Sequence, residues 1–166
     1  PHYQVADSLS YAQTLESTRY PKAGQPLPLV SVWLADVHAG ELTEVDLAAF
    51  PQDDRLVGRA SWSPAGDLWL QVLNRVQNKQ DLVRVDPGAG TVQTVFTEVS
   101  PGGIESRGTP QFLPDGDFLW LSDVPTGRTH LFRVSSQTGQ RSQVTSGEWD
   151  VESIARVAED GKTAFV

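Results

Sequence analysis

Hydrolytic chemistry needs a nucleophile beside a base, and this chain of 166 residues offers few candidates for either role. Its three histidines are His2 at the start, His38 in a predicted turn and His130 at the start of a predicted strand. No motif pairs any of them with a serine or an aspartate. The G-x-S-x-G elbow, a strained turn that exposes a serine hydroxyl beside an oxyanion hole, occurs nowhere in the sequence. His130 therefore reads as a structural imidazole hydrogen-bonded between strands rather than as a general base. No catalytic, cofactor-binding or metal-binding residue is assigned, and no cofactor is expected.

Metal ligation fails on spacing, because neither H-x-H nor H-E-x-x-H is present. Asp53-Asp54 and Asp115-Gly116-Asp117 gather carboxylates without the remaining oxygen ligands of a calcium loop, so both read as solvated turns. Gly161-Lys162-Thr163 resembles the end of a phosphate loop, yet Arg156 stands where that loop needs its first glycine, and Asp160-Gly161-Lys162 reads as a hairpin turn. Tryptophans at 33, 62, 69, 120 and 149 are the residue type that stacks ligands or sugars. Four of them fall in or at the ends of predicted strands and are expected to pack between sheets. The amide-rich stretch Leu73-Asn74-Arg75-Val76-Gln77-Asn78 reads equally as an exposed connection or as a hydrogen-bond network tying one sheet to its neighbour or to a partner domain.

Charge narrows the partners. Thirteen basic residues are scattered among 21 acidic ones for a net charge of −8, which argues against a phosphate-binding surface and hence against nucleic acid. With no cysteine, disulfides and thiolate metal sites are excluded. No apolar run reaches the roughly 20 residues that span a bilayer, and the start lacks a signal-peptide pattern. The chain begins at Pro1 and has no methionine, as expected of a piece of a longer polypeptide.

The organisation that must position any site is a repeat. Ser63-Pro64-Ala65-Gly66-Asp67 recurs as Leu113-Pro114-Asp115-Gly116-Asp117, 50 positions on, and Asp36 to Gly40 recurs as Asp86 to Gly90 in the same register. A period of roughly 40 to 50 residues with several short strands per unit marks β-propeller blades. The chain is therefore expected to be all-β, an incomplete propeller arc of about three blade-equivalents with four antiparallel strands per blade. Residues 1–28, rich in tyrosine and then in proline, read as an extended lead-in. Residues 29–46 read as a half blade, 57–97 and 109–146 as whole blades, and 151–166 as the start of the next. Closed propellers take about four to eight blades. Such an arc is expected not to close, and its open edges invite self-association.

These residues also carry a resemblance. Tyr20-Pro21-Lys22-Ala23-Gly24 resembles the Y-P-K-A-G segment of the dipeptidyl peptidase IV family, and Leu73 to Asn78 is similar to its L-N-R-x-Q-N stretch. Phe112-Leu113-Pro114-Asp115-Gly116, with Leu121-Ser122-Asp123, resembles the F-x-P-D-G and W-L-S-E pair. Gly127 to Phe132 is similar to G-Y-R-H-L-Y, and Thr145 to Val151 to T-x-G-x-W-x-V. Five motifs occur in the family's order.

The resemblance implies a propeller segment of a serine exopeptidase that releases N-terminal dipeptides after proline. Its partners would be a C-terminal α/β-hydrolase domain carrying the Ser–Asp–His triad, and peptide substrates. The family's paired glutamates for the substrate amino group have no match in residues 1 to 19, where Asp7 and Glu16 stand alone. Val99 to Gly108 lacks the aromatic often found there, and Arg107 does not align with the arginine that some members turn toward substrate, so that role is not carried over. The expected function is non-catalytic: steric gating of peptide access to a catalytic domain outside this chain. The alternative is a TolB-like interaction propeller with no enzymatic parent, since S-P-x-G and P-D-G turns suit such repeats as well. A sugar-binding propeller would require at least two tryptophans open on one face.

Overall fold

The computed structural model describes every residue other than 1, 7, 8, 10, 13, 20, 22, 23 and 125, and only the backbone of 3 and 19. Among the described residues every regular element is a strand: β1 (His2–Ala6), β2 (Leu15–Arg19), β3 (Trp33–Ala35), β4 (Leu42–Glu44), β5 (Arg55–Trp62), β6 (Leu68–Asn74), β7 (Lys79–Val85), β8 (Val92–Val99), β9 (Gln111–Phe112), β10 (Phe118–Ser122), β11 (His130–Val134), β12 (Arg141–Gln143), β13 (Arg156–Val157) and β14 (Ala164–Phe165). They form two four-stranded antiparallel sheets, β5-β6-β7-β8 and β9-β10-β11-β12, and the two-stranded sheets β1-β2, β3-β4 and β13-β14. This is an incomplete β-propeller. Residues read as an extended lead-in include β1 and β2, which pair with each other in antiparallel register.

The repeat works through its turns. Asp36 and Asp86 each accept two backbone N–H bonds on Oδ1 at 2.7–3.1 Å, and each carbonyl receives the N–H of the glycine four residues on, at 2.8 Å. Ser135 accepts from Gly139 N–H in the same way at 2.8 Å. The Ser63 to Asp67 and Leu113 to Asp117 turns likewise share one pattern, in which Gly66 and Gly116 donate to the carbonyl three residues back at 3.0 Å. An aspartate that satisfies its own turn, followed by a glycine at positive φ, is a local instruction to reverse the chain.

Strands β6 and β10 are buried on both faces, which is why β10 reads as an apolar run and β6 as one broken only at Gln71. Leu68, Leu70 and Val72 pack with Val45 and Leu47 behind them. On the other face Trp69 meets Phe118 edge-on at 5.2 Å and Phe112 at 5.3 Å, while Phe96 meets Trp120 at 5.5 Å. This aromatic cluster joins the two complete blades, and Phe118 at its centre is fully buried. Leu113, Leu119 and Leu131 repeat the pattern toward Ile154, Val157 and Ala164.

Two correspondences lock neighbouring blades. A Cβ on Gly90 would lie 2.2 Å from the Glu44 carbonyl oxygen, and one on Gly139 would lie 2.0 Å from the Val95 carbonyl oxygen. Val95 is the extra residue where β8 bulges between the partners of Leu82 and Val83. The turn of one blade therefore presses backbone against the outer strand of the blade before it.

The seam between the complete blades turns polar toward its other end. Glu98, only 3% exposed, pairs with Arg141 across the seam, and the Trp120 indole N–H donates to its second oxygen at 3.3 Å. Arg141 also lies over the Phe96 ring, 5.4 Å from its centroid. Burial pushes the Glu98 carboxyl above the usual carboxylate range and outweighs the opposing pull of the Ser122 hydroxyl, Arg141 and the Trp120 indole, while Asp123 adds to the rise.

Gly139→Ala should cost about 2–4 kcal/mol in urea denaturation, from both left-handed backbone and collision with Val95. Gly66→Ala has the same backbone demand with nothing within 4 Å of the new Cβ, and should cost only about 1–2 kcal/mol. Equal costs would show that blade contact adds nothing. For Glu98 the folded chain holds its proton more tightly than the unfolded one. The resulting stabilisation is present below the ordinary carboxylate range and is lost as pH climbs through the raised value. The stability of Glu98→Gln relative to the parent should therefore rise from pH 4 to pH 8 in urea melts, and a flat or falling difference would refute it.

Candidate functional site

Alternation of strand direction sorts the connections. Tight turns at 36–40, 63–67, 86–90, 113–117 and 135–139 lie at one end of the sheets. The longer connections at 46–54, 100–110, 123–129 and 144–155, together with the short loop at 74–79, lie at the other. This end carries most of the motif residues, the Phe112 to Gly116 motif lying at the tight turns instead, and buried polar side chains hold its connections in place.

The Leu73 to Asn78 stretch is a hydrogen-bond network. Asn74 Oδ1 accepts from the backbone N–H groups of Asn78 and Lys79 at 3.0 Å, and its amide donates to Asn78 Oδ1 at 2.8 Å. Arg75 N–H donates to Asp54 Oδ1 at 3.1 Å, and its guanidinium donates to the Gln25 carbonyl. Gln77, at φ 59°, turns its carbonyl to accept Ile104 N–H at 2.7 Å, and Asn78 accepts Ser100 N–H at 2.9 Å. The loop thus ties the segment around Gln25, the 46–54 connection and the 100–110 connection to one blade. Of the neighbouring Y-P-K-A-G segment, Tyr20, Lys22 and Ala23 lie outside the described residues.

Gln71 anchors the 100–110 connection from below. Its amide donates to Gly108 O, and its Oε1 accepts from Ser106 Oγ, both at 2.5 Å. Arg59 Nε donates to the same Ser106 at 3.3 Å. The loop so held presents Arg107, paired with Glu105 at 2.8 Å, at the rim of a cavity of about 120 Å³ that Trp120, Ser153 and Ile154 also line.

His130 is 2% exposed, with Nδ1 3.4 Å from Thr145 Oγ1 and its ring edge-on to Trp149 at 5.6 Å. His38 sits in the turn after β3, at the opposite end of the sheets, and His2 lies in β1. The Gly127 to Phe132 and Thr145 to Val151 motifs meet through Asp150, which accepts Thr129 N–H at 2.7 Å and Arg128 at 3.0 Å. The Thr129 N–H first and Arg128 second hold the Asp150 carboxyl below the usual range.

Other sequence candidates have structural occupations. Asp115 and Asp117 both grip Arg133, at 2.5 and 2.9 Å. Gly161 closes a hairpin by donating to Ala158 O at 2.9 Å. The expectation for the tryptophans needs correction. Trp69 and Trp120 pack between blades, but Trp33 and Trp62, also in strands, are 52% and 58% exposed, and Trp149 is 49% exposed. Trp33 lies on the face of β3 opposite Leu34, which packs toward the blade β5–β8. Trp62 ends β5 beyond the cover of its neighbours.

Gln71, Gln80, Glu98 and Arg141 were not singled out from the sequence. The available signal was a long polar side chain interrupting an apolar strand, as Gln71 does between Leu70 and Val72.

Comparison with known proteins agrees with this architecture. Dipeptidyl peptidase 4 of Arthroderma otae is 26% identical over 174 residues, covering 99% of this chain and 22% of that protein's length. Dipeptidyl peptidase 4 from Porphyromonas gingivalis has a crystal structure that superposes with a TM-score of 0.83 at 24% identity, covering 97% of this chain and 23% of that one. The chain therefore spans under a quarter of either relative. A family model described as the dipeptidyl peptidase IV (DPP IV) N-terminal region matches residues 1–165. With strand architecture, ordered motifs and a family match along nearly its whole length, the chain belongs to the dipeptidyl peptidase IV N-terminal region family.

Proposed function

We propose that these residues supply consecutive propeller blades of a serine-type dipeptidyl peptidase and act there by steric gating. The blades wall off a catalytic cavity so that short or unstructured peptides reach it and folded proteins do not. The catalytic Ser–Asp–His triad belongs to an α/β-hydrolase domain outside this chain, which itself contributes no catalytic group. The observation that carries this reading is the family match over residues 1–165, joined to loops held by buried side chains such as Gln71. A gate must keep its shape when a substrate presses on it. Anchored loops meet that requirement, whereas loops tethered only at their ends do not.

The 166-residue chain should show no turnover of Gly-Pro or Ala-Pro chromogenic substrates. Turnover sensitive to a serine-directed inhibitor would defeat the assignment. In the full-length protein, Gln71→Ala should loosen the 100–110 connection and raise cleavage of long peptides relative to a dipeptide substrate. An unchanged ratio, in a variant that still folds, would remove gating from the proposal. Absence of a downstream G-x-S-x-G from the parent reading frame would favour a TolB-like interaction propeller instead.

A further inference from the structure

The turn end of the arc holds a groove that the gating role does not use. Its volume is about 680 Å³, and its walls are the corresponding turns of three successive sheets, around residues 63–67, 112–116 and 157–159. That size lies within the roughly 300–1,000 Å³ typical of ligand sites. The floor is apolar and stiff, formed by Pro64, Trp69, Phe112 and Pro114.

Charge at the rim selects the occupant. Asp115 is already neutralised by Arg133, and Arg84 donates to Gln93 Oε1 at 2.8 Å. Asp67 and Glu159 line the same groove, and among the described residues no hydrogen bond or ion pair engages either carboxylate. Arg84 also lines the groove, and its hydrogen bond to the neutral Gln93 amide leaves its charge in place, so an anion would face two carboxylates against one guanidinium on a chain of net charge −8. A purely apolar ligand would gain nothing from them. An aliphatic stem ending in a cation fits both the floor and the rim, because lysine and arginine lay their methylenes on apolar surface and keep the charged head in water. The walls stand in series, one per blade, which suits an extended chain more than a compact molecule. We propose that this groove binds an extended peptide segment bearing lysine or arginine, its stems on the proline and aromatic floor and its charges at Asp67 and Glu159. This proposal does not rest on the peptidase reading.

The test is fluorescence polarisation of labelled Ala-Lys-Ala-Lys-Ala titrated with the 166-residue chain. Saturable binding is expected, weakened by added salt. The Asp67→Asn, Glu159→Gln double variant should bind about five- to tenfold more weakly, as two rim ion pairs predict. Asp53→Asn, at the opposite end of the sheets, should bind unchanged. No saturable binding, equal binding of Ala-Glu-Ala-Glu-Ala, or undiminished affinity in the folded double variant would overturn the proposal. Should the double variant fail to fold, amide-shift mapping on the unaltered chain decides. Shifts at Ala65, Gly116 and Ala158 support the groove, and shifts confined to the longer connections overturn it.

Discussion

A strand that is apolar on both faces cannot be satisfied within its own sheet. β6 and β10 are such strands, and the covering they require comes from blades before and after them in the sequence. Everything else in the molecule follows from that dependence. The aromatic cluster between the complete blades is as much the core of one as of the other, so the fold is a series of shared interiors and not a set of separate domains. The turn glycines serve the same end. Gly90 and Gly139 do more than reverse the chain: the missing side chain lets each turn rest on the carbonyl of the preceding outer strand and so fixes the spacing between blades. Gly40 has the same conformation with nothing beside it, which separates the turn's local need for glycine from the packing need that the next two repeats add.

How much of this was legible follows the range of the interactions. The turns were readable because their signals are local, with Asp36 or Asp86 and the glycine four residues later fixing the reversal within one short segment. The two four-stranded sheets were readable because their central strands are apolar runs, broken in β6 only at Gln71, and bounded by those turns. The hairpin of β1 and β2 was not, because its described side chains are mostly exposed and its pairing rests on backbone hydrogen bonds that leave no periodic trace. The tryptophans misled for a related reason. A tryptophan in a strand reports that the strand is there, but which face is covered depends on the neighbouring blade, and Trp33 and Leu34 are adjacent residues with opposite fates.

The candidate site was least legible because its anchors break the pattern that revealed the strands. Gln71, Gln80 and Glu98 lie on the face of their blade that turns toward the next one, yet they are polar. From sequence Gln71 looks like an exception on an otherwise apolar strand, while Gln80 and Glu98 blend into the polar residues of β7 and β8. In the structure Gln71 and Glu98 serve as fixed points, one holding the 100–110 connection and the other meeting Arg141 and Trp120 across the seam. A buried polar group tolerates few geometries, since leaving it unpaired costs about 1–3 kcal/mol. It is therefore a better positioning device than another leucine would be.

One seam thus performs two different tasks along its length. Toward the tight turns it is aromatic, and supplies the burial that keeps the blades together. Toward the longer connections it is polar, and sets where the loops lie. The division has a cost at Glu98, whose burial outweighs the help of its partners and leaves its proton held more firmly than in water. A seam selected for stability alone would replace that group with a hydrocarbon. Retaining it makes sense where the register of one blade against the next matters more than the strength of their attachment, as it must for any surface assembled from the loops of several blades.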